Sequence, residues 1–304
     1  MNRLLLTGCF QYTTEQLKLI NSLGFTVDFL KDEKAVVEYP ERYIGVVCNN
    51  LFLYNDISLF KNLQFIQATS AGLDRLPLDY INSKNIILNS AKGVYDIPIA
   101  EFVVMQLLRC LKKNKEMECH ISNHIWQKER QLEELYGKNV LIIGCGSIGQ
   151  TIASRLHCFG CNVFGVDIHP ISNANFKHIY LINQIDEILN DSDIIILCCP
   201  LTKETKQMIN TPFISHFKKN AILINVSRGE LIEENALRFA ISNRVDLFFI
   251  LDVFENEPLQ EDSWLWDCKN IYISPHNSFA SVNNSERMFS VIFSFLSKVR
   301  GLIK

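Results

Sequence analysis

Arg228, Glu257 and His276 each stand where an apolar run ends, in Asn225-Val226-Ser227-Arg228-Gly229, Asp252-Val253-Phe254-Glu255-Asn256-Glu257-Pro258 and Ser274-Pro275-His276-Asn277. A guanidinium is a planar, permanently charged fork that grips a carboxylate at two points. An imidazole exchanges protons near neutral pH, and a carboxylate beside it favours the protonated form and fixes the tautomer. A cation for a carboxylate and a proton donor for a carbonyl oxygen are what hydride reduction of a 2-oxo acid requires. Taken singly, the three are equally compatible with a surface Arg, a helix-proximal Glu and a His satisfied by backbone.

A second constellation lies upstream. Val140-Leu141-Ile142-Ile143-Gly144-Cys145-Gly146-Ser147-Ile148-Gly149 places GxGxxG at the end of an apolar strand and the start of a helix. Gly144 permits the tight turn, Gly146 lets backbone amides approach a pyrophosphate, and Gly149 lets helix and strand pack closely. The helix N-terminus supplies the anion site. Alone, the motif also fits a structural turn. Asp167 sharpens it by ending the next strand, where a carboxylate accepts hydrogen bonds from a ribose diol and repels a 2′-phosphate. No Arg follows in Ile168-His169-Pro170, so NAD is expected as cofactor in preference to NADP.

The elements that must position these groups alternate along the chain. Arg3–Thr7, Phe25–Leu30, Ile44–Cys48, Phe65–Ala68 and Ile86–Leu88 read as short strands between polar turns, and Thr13-Thr14-Glu15-Gln16 has the spacing of a capping box opening a helix. A second series follows at Asn139–Gly144, Asn162–Asp167, Asp193–Cys198, Ala221–Val226, Phe248–Val253 and Ile271–Ser274, with a helix over Ile148–Phe159. A long helix is expected from Ile97 to about Lys115, and an amphipathic one from about Ser285 to Leu302. Such alternation predicts an α/β fold of parallel strands with sites at their carboxyl ends.

The 304 residues favour two domains, and 48% apolar with 21% charged residues is ordinary for a globular protein. The net charge of −3 comes from interspersed signs without a basic block, so no nucleic-acid or membrane partner is expected. The N-terminal apolar run is too short for a signal peptide and no stretch reaches a membrane span, which makes the cytoplasm the expected location. Ten cysteines are expected as reduced thiols. Cys158-Phe159-Gly160-Cys161 has redox spacing but sits at a helix end, where the dipole does not favour a thiolate, so packing is expected there. No metal site is read.

With Pro200-Leu201-Thr202-Lys203-Glu204-Thr205, Ile224–Glu233, Leu251–Pro258 and Ser274-Pro275-His276 following the glycine motif, the chain resembles the D-isomer-specific 2-hydroxyacid dehydrogenases. Ala68-Thr69-Ser70-Ala71-Gly72-Leu73-Asp74 and Gly93–Glu101 extend the resemblance toward the N-terminus. It implies a doubly wound Rossmann domain for NAD, residues 98–276, inserted into a smaller flavodoxin-like α/β substrate domain, residues 1–97 plus 277–304. It also implies that Arg228 holds the substrate carboxylate, helped by amides at Ala71 and Gly72, that His276 is the acid/base and that Glu257 is its partner. The cofactor would be met by Gly144, Gly146, Ser147, Ile148, Gly149, Asp167, Cys199, Pro200, Thr205 and Val226, with Asp252 near the nicotinamide carboxamide. The partners implied are a small 2-hydroxy or 2-oxo acid and a second copy of the chain, with the long helix and Glu118–Trp126 as interface.

Two alternatives accompany this expectation: phosphoglycerate dehydrogenase, and an NAD-sensing binding protein of the same fold. Formate dehydrogenase is disfavoured because its His has an amide partner, whereas Glu257 is a carboxylate. Asn277-Ser278-Phe279-Ala280 departs from the small apolar stretch common after the catalytic His, and the chain stops at Lys304, where longer relatives carry a regulatory domain.

Overall fold

Runs of Ile, Val, Leu and Phe build two separate all-parallel sheets. The computed structural model describes residues 2–171 and 173–302. The chain divides into two compact units, Met1–Tyr95 with Ser281–Lys304, and Asp96–Ala280.

The first unit carries β1 (Asn2–Thr7), β2 (Phe25–Leu30), β3 (Tyr43–Cys48), β4 (Phe65–Ala68) and β5 (Ile87–Asn89) in the order β2-β1-β3-β4-β5. That is the flavodoxin-like order. Alternating side chains feed two cores. Leu5, Val46, Cys48 and Ile66 pack on one face with Leu51 and Ile81. Leu4, Leu6, Val47 and Phe65 pack on the other with Ile20, Met288, Ile292 and Leu296. The helices Thr14–Ser22 and Asn284–Val299 bring the last four residues there. The capping box at Thr13 is formed: Gln16 N–H donates to Thr13 Oγ1 at 3.2 Å, and Thr13 N–H to Gln16 Oε1 at 3.0 Å.

The second unit has β6 (Asn139–Ile143), β7 (Asn162–Asp167), β8 (His178–Leu181), β9 (Ile194–Leu197), β10 (Ile222–Asn225), β11 (Phe248–Leu251) and β12 (Ile271–Ile273). Their order is β12-β11-β10-β9-β6-β7-β8, a doubly wound sheet with its switch point between β6 and β9. The central strands are buried on both faces, which is why they are continuously apolar rather than alternating. Strand β8 is absent from the sequence expectation. It is a short edge strand, partly exposed, paired only to β7, so it has no unbroken apolar run to betray it.

The long helix expected from Ile97 to about Lys115 is in fact two. One helix spans Asp96–Leu111, Lys113 adopts a left-handed backbone (φ 48°), and a second helix spans Asn114–Ser122. The apolar stripe ends at Leu111, and Lys112-Lys113-Asn114 offers nothing to hold a continuing helix against the core. The first of the two packs along the helix Ser147–Cys158. Among the described residues no helix is long and apolar enough to cross a membrane.

Candidate active site

At the end of β6, Gly144 has φ +100°, and a Cβ there would lie 2.6 Å from the Cys199 nitrogen. Both the backbone angle and the close approach of the β9 loop exclude a side chain. A Cβ on Gly149 would lie 2.1 Å from the Gly144 carbonyl oxygen, so the helix Ser147–Cys158 seats directly on the strand end. At Gly146 a Cβ would meet nothing within 4 Å. The turn therefore presents an open approach beside the first helical amides, whose N–H groups have no acceptor within the helix. An anionic group of pyrophosphate size fits this arrangement. Asp167, the last residue of β7, accepts from Cys145 N–H at 2.7 Å and from His169 N–H at 3.0 Å, one bond per oxygen. Each oxygen keeps acceptor capacity for a diol. Ser147 Oγ donates to Asp96, the first residue of the neighbouring helix.

Thiols line this turn without being reactive. Burial pushes Cys145 up to about 12 and Cys199 up to about 11, and raises Cys198 well above the ordinary thiol range. Cys198 Sγ donates to the Gly144 carbonyl at 3.1 Å. In the Cys158/Cys161 pair, burial pushes Cys161 up to about 11 and its Sγ donates to the Leu135 carbonyl, whereas Cys158 is exposed at the helix end. These are protonated packing residues.

The loops after β10, β11 and β12 carry the ionisable groups. Buried Asn225 donates from Nδ2 to the Arg228 carbonyl at 2.8 Å and accepts from Ser227 N–H at 3.0 Å, clamping the turn that presents Arg228. Ser227 Oγ donates to the Cys199 carbonyl, and Arg228 Nη1 donates to the Ser227 carbonyl at 2.8 Å. A Cβ on Gly229 would lie 2.0 Å from the Phe254 carbonyl carbon, so the β10 and β11 loops touch backbone to backbone.

His276 Nδ1 lies 2.7 Å from Glu257 Oε2, and Glu257 Oε1 accepts from Phe254 N–H at 3.0 Å. With the carboxylate on Nδ1, Nε2 is the nitrogen left to exchange protons. The Phe279 ring meets the imidazole edge to face at 5.9 Å. His276 has a left-handed backbone (φ 48°) held by its N–H donating to the Asp252 carbonyl at 2.8 Å. Asp252 is fully buried and spends its carboxylate on the same loop. Oδ1 accepts from Ser274 Oγ (2.6 Å) and Asn277 N–H (2.9 Å), and Oδ2 from Ser278 N–H (3.0 Å).

The expected residues are thus distributed as follows. Arg228, Glu257 and His276 lie at the carboxyl edge of the seven-stranded sheet that also ends in the glycine turn, and Glu257 and His276 are in contact. Cys199, Pro200 and Val226 lie on the β9 and β10 loops, and Thr205 closes the former by donating from Oγ1 to the Pro200 carbonyl at 2.7 Å. Ala71 and Gly72 belong to the other unit, in the turn after β4, where Ser70 Oγ donates to the Gly72 carbonyl at 2.6 Å. Sequence reasoning passed over Asn225, Ser274 and Ser278 as clamps, although all three sit inside or beside the motifs. It also missed Asp96, for which nothing local gave a signal.

A sequence profile described as D-isomer specific 2-hydroxyacid dehydrogenase, NAD binding domain, matches residues 104–278. D-3-phosphoglycerate dehydrogenase of Methanocaldococcus jannaschii is 30% identical over 79% of this chain, and the alignment covers 46% of that longer protein. Glyoxylate reductase of Thermofilum pendens is 31% identical over 75% of this chain and 69% of its own length. A solved D-isomer specific 2-hydroxyacid dehydrogenase family protein from Aeromonas salmonicida superposes with a TM-score of 0.81 at 27% identity, covering 99% of this chain and 96% of that one.

Proposed function

Because this chain belongs to the D-isomer specific 2-hydroxyacid dehydrogenases, we propose that it interconverts a small 2-oxo acid and its D-2-hydroxy acid with NAD(H), using His276 as the acid/base. The observation that carries this assignment is the 2.7 Å contact between His276 Nδ1 and Glu257, on the sheet edge that also presents Arg228. Glu257 fixes the imidazole so that Nε2 carries the exchangeable proton. In reduction the imidazolium gives that proton to the carbonyl oxygen, and in oxidation the neutral ring takes it back. Arg228 supplies the fork for the acid's carboxylate, and the Ala71–Gly72 turn offers backbone donors for the same group. When bound, NADH supplies the hydride.

The cofactor is held by the glycine turn, with Gly146, Ser147, Ile148 and Gly149 around the phosphates and Asp167 on the ribose diol. Cys199, Pro200, Thr205 and Val226 form the remaining wall, and Asp252 acts as a positioning residue beneath the His276 loop. The Asp167 charge selects NAD over NADP. The ten free cysteines suit a reducing compartment, and we place the enzyme in the cytoplasm.

The test is NADH oxidation against a panel of 2-oxo acids, including glyoxylate and 3-phosphohydroxypyruvate, with wild type and His276→Asn. Loss of the general acid should lower kcat by about 10²–10⁴-fold, with NADH affinity, read by fluorescence titration, nearly unchanged. Near-normal turnover in His276→Asn, or no turnover of any panel member by the wild type, would defeat the assignment.

A further inference from the structure

Asp96 is buried, 7% exposed, and its carboxylate accepts a hydrogen bond from the hydroxyl of Ser147, the first residue of the helix that follows the glycine turn. Among the described residues it forms no ion pair with any Lys, Arg or His. Asp96 is itself the first residue of the helix Asp96–Leu111, which packs along the helix Ser147–Cys158. The carboxylate therefore sits at two helix N-termini, where the backbone dipoles favour negative charge. One of these ends is the open approach beside Gly146.

We infer that Asp96 is a built-in anion at the phosphate end of the dinucleotide site, which weakens the hold on the cofactor and eases its release. The inference rests on the nucleotide-binding reading of the glycine turn. A pyrophosphate arriving at the amides of Ser147 and Ile148 brings negative charge within a few ångströms of a carboxylate already using the same helix dipole. With solvent largely excluded from Asp96, the repulsion is only partly screened. A neutral residue that kept the hydrogen bond to Ser147 would leave the dipole wholly to the cofactor.

Asp96→Asn makes that change: it keeps the shape, an acceptor for Ser147 Oγ and the ability to cap a helix, and removes the charge. NADH binding to the full chain, measured by fluorescence titration and calorimetry without substrate, should tighten roughly tenfold in Asp96→Asn. Asp96→Ser, a second neutral capping variant, should tighten it in the same direction. Ser147→Ala, which removes the tether and leaves the charge, should not tighten it. Affinities in Asp96→Asn and Asp96→Ser equal to or weaker than wild type would overturn the proposal and leave Asp96 a helix cap. If the wild type and both variants fail to bind NADH at all, the nucleotide reading falls, and this inference with it.

Discussion

At the scale of single residues, the site depends on which oxygen and nitrogen atoms are already engaged. Glu257 gives one oxygen to Phe254 N–H and the other to His276, so its charge is held beside Nδ1. In Glu257→Gln the imidazolium loses its counter-charge, and protons leave it at lower pH. The high-pH fall of 2-oxo acid reduction should then shift toward lower pH, a change that rate–pH profiles of kcat would register; an unmoved profile would separate Glu257 from the acid/base. Asp252 differs because its three acceptor bonds all go to the loop bearing His276. Asp252→Asn turns an NH₂ group toward a buried donor, which should cost about 1–3 kcal/mol of stability and lower kcat more than it alters KM for the 2-oxo acid. Thermal melts and steady-state kinetics on the same preparation test both effects. The thiols give a third expectation. Because burial raises Cys145 to about 12 and Cys199 to about 11, little thiolate exists there at pH 8, so iodoacetamide should modify exposed Cys119 and Cys158 first. Early alkylation of Cys145 or Cys199 in a peptide map would contradict the burial.

At the scale of elements, the glycine turn and its helix form one piece because Gly149 lets the helix touch the strand end. Gly149→Ala places a methyl 2.1 Å from the Gly144 carbonyl oxygen, a backbone atom that cannot swing aside. The helix must lift, so NADH affinity should fall at least tenfold, read by fluorescence quenching, while Gly146→Ala, with open space at its Cβ, should leave the melting temperature near wild type. In the other unit the C-terminal helix Asn284–Val299 is held through Met288, Ile292, Leu296 and Val299. Ile292→Ala removes a fully buried side chain and should cost about 2–5 kcal/mol, measurable by urea unfolding. That one compact unit combines the first 95 residues with the last stretch of chain explains why a helix so distant in sequence is part of its core.

At the scale of the whole molecule, the helix Asn114–Ser122 has no buried residue, and Ile121 and Trp126 are 73% and 95% exposed. Trp126 does not cap a local core, and an apolar surface of this kind is the mark of an interface. A homodimer is the proposed state: light scattering should give twice the chain mass at micromolar concentration, and Trp126→Arg should move it toward the monomer. The amino-acid sequence alone determined the α/β class, the glycine turn, the acid at the end of β7 and the three ionisable residues, because period, turn chemistry and strand ends are local properties of the chain. It also carried the family resemblance that the profile match established. Strand β8 escaped it, since an exposed edge strand needs no apolar run, as did the break at Lys113, where a left-handed residue is set by packing on either side. Only the tertiary structure decided that Glu257 reaches His276, that Asp252 and Asn225 spend their side chains on the loops of the site, and that Asp96 meets Ser147. These contacts join residues up to 51 positions apart, and such pairings depend on how parallel strands align their ends, which no local spacing records.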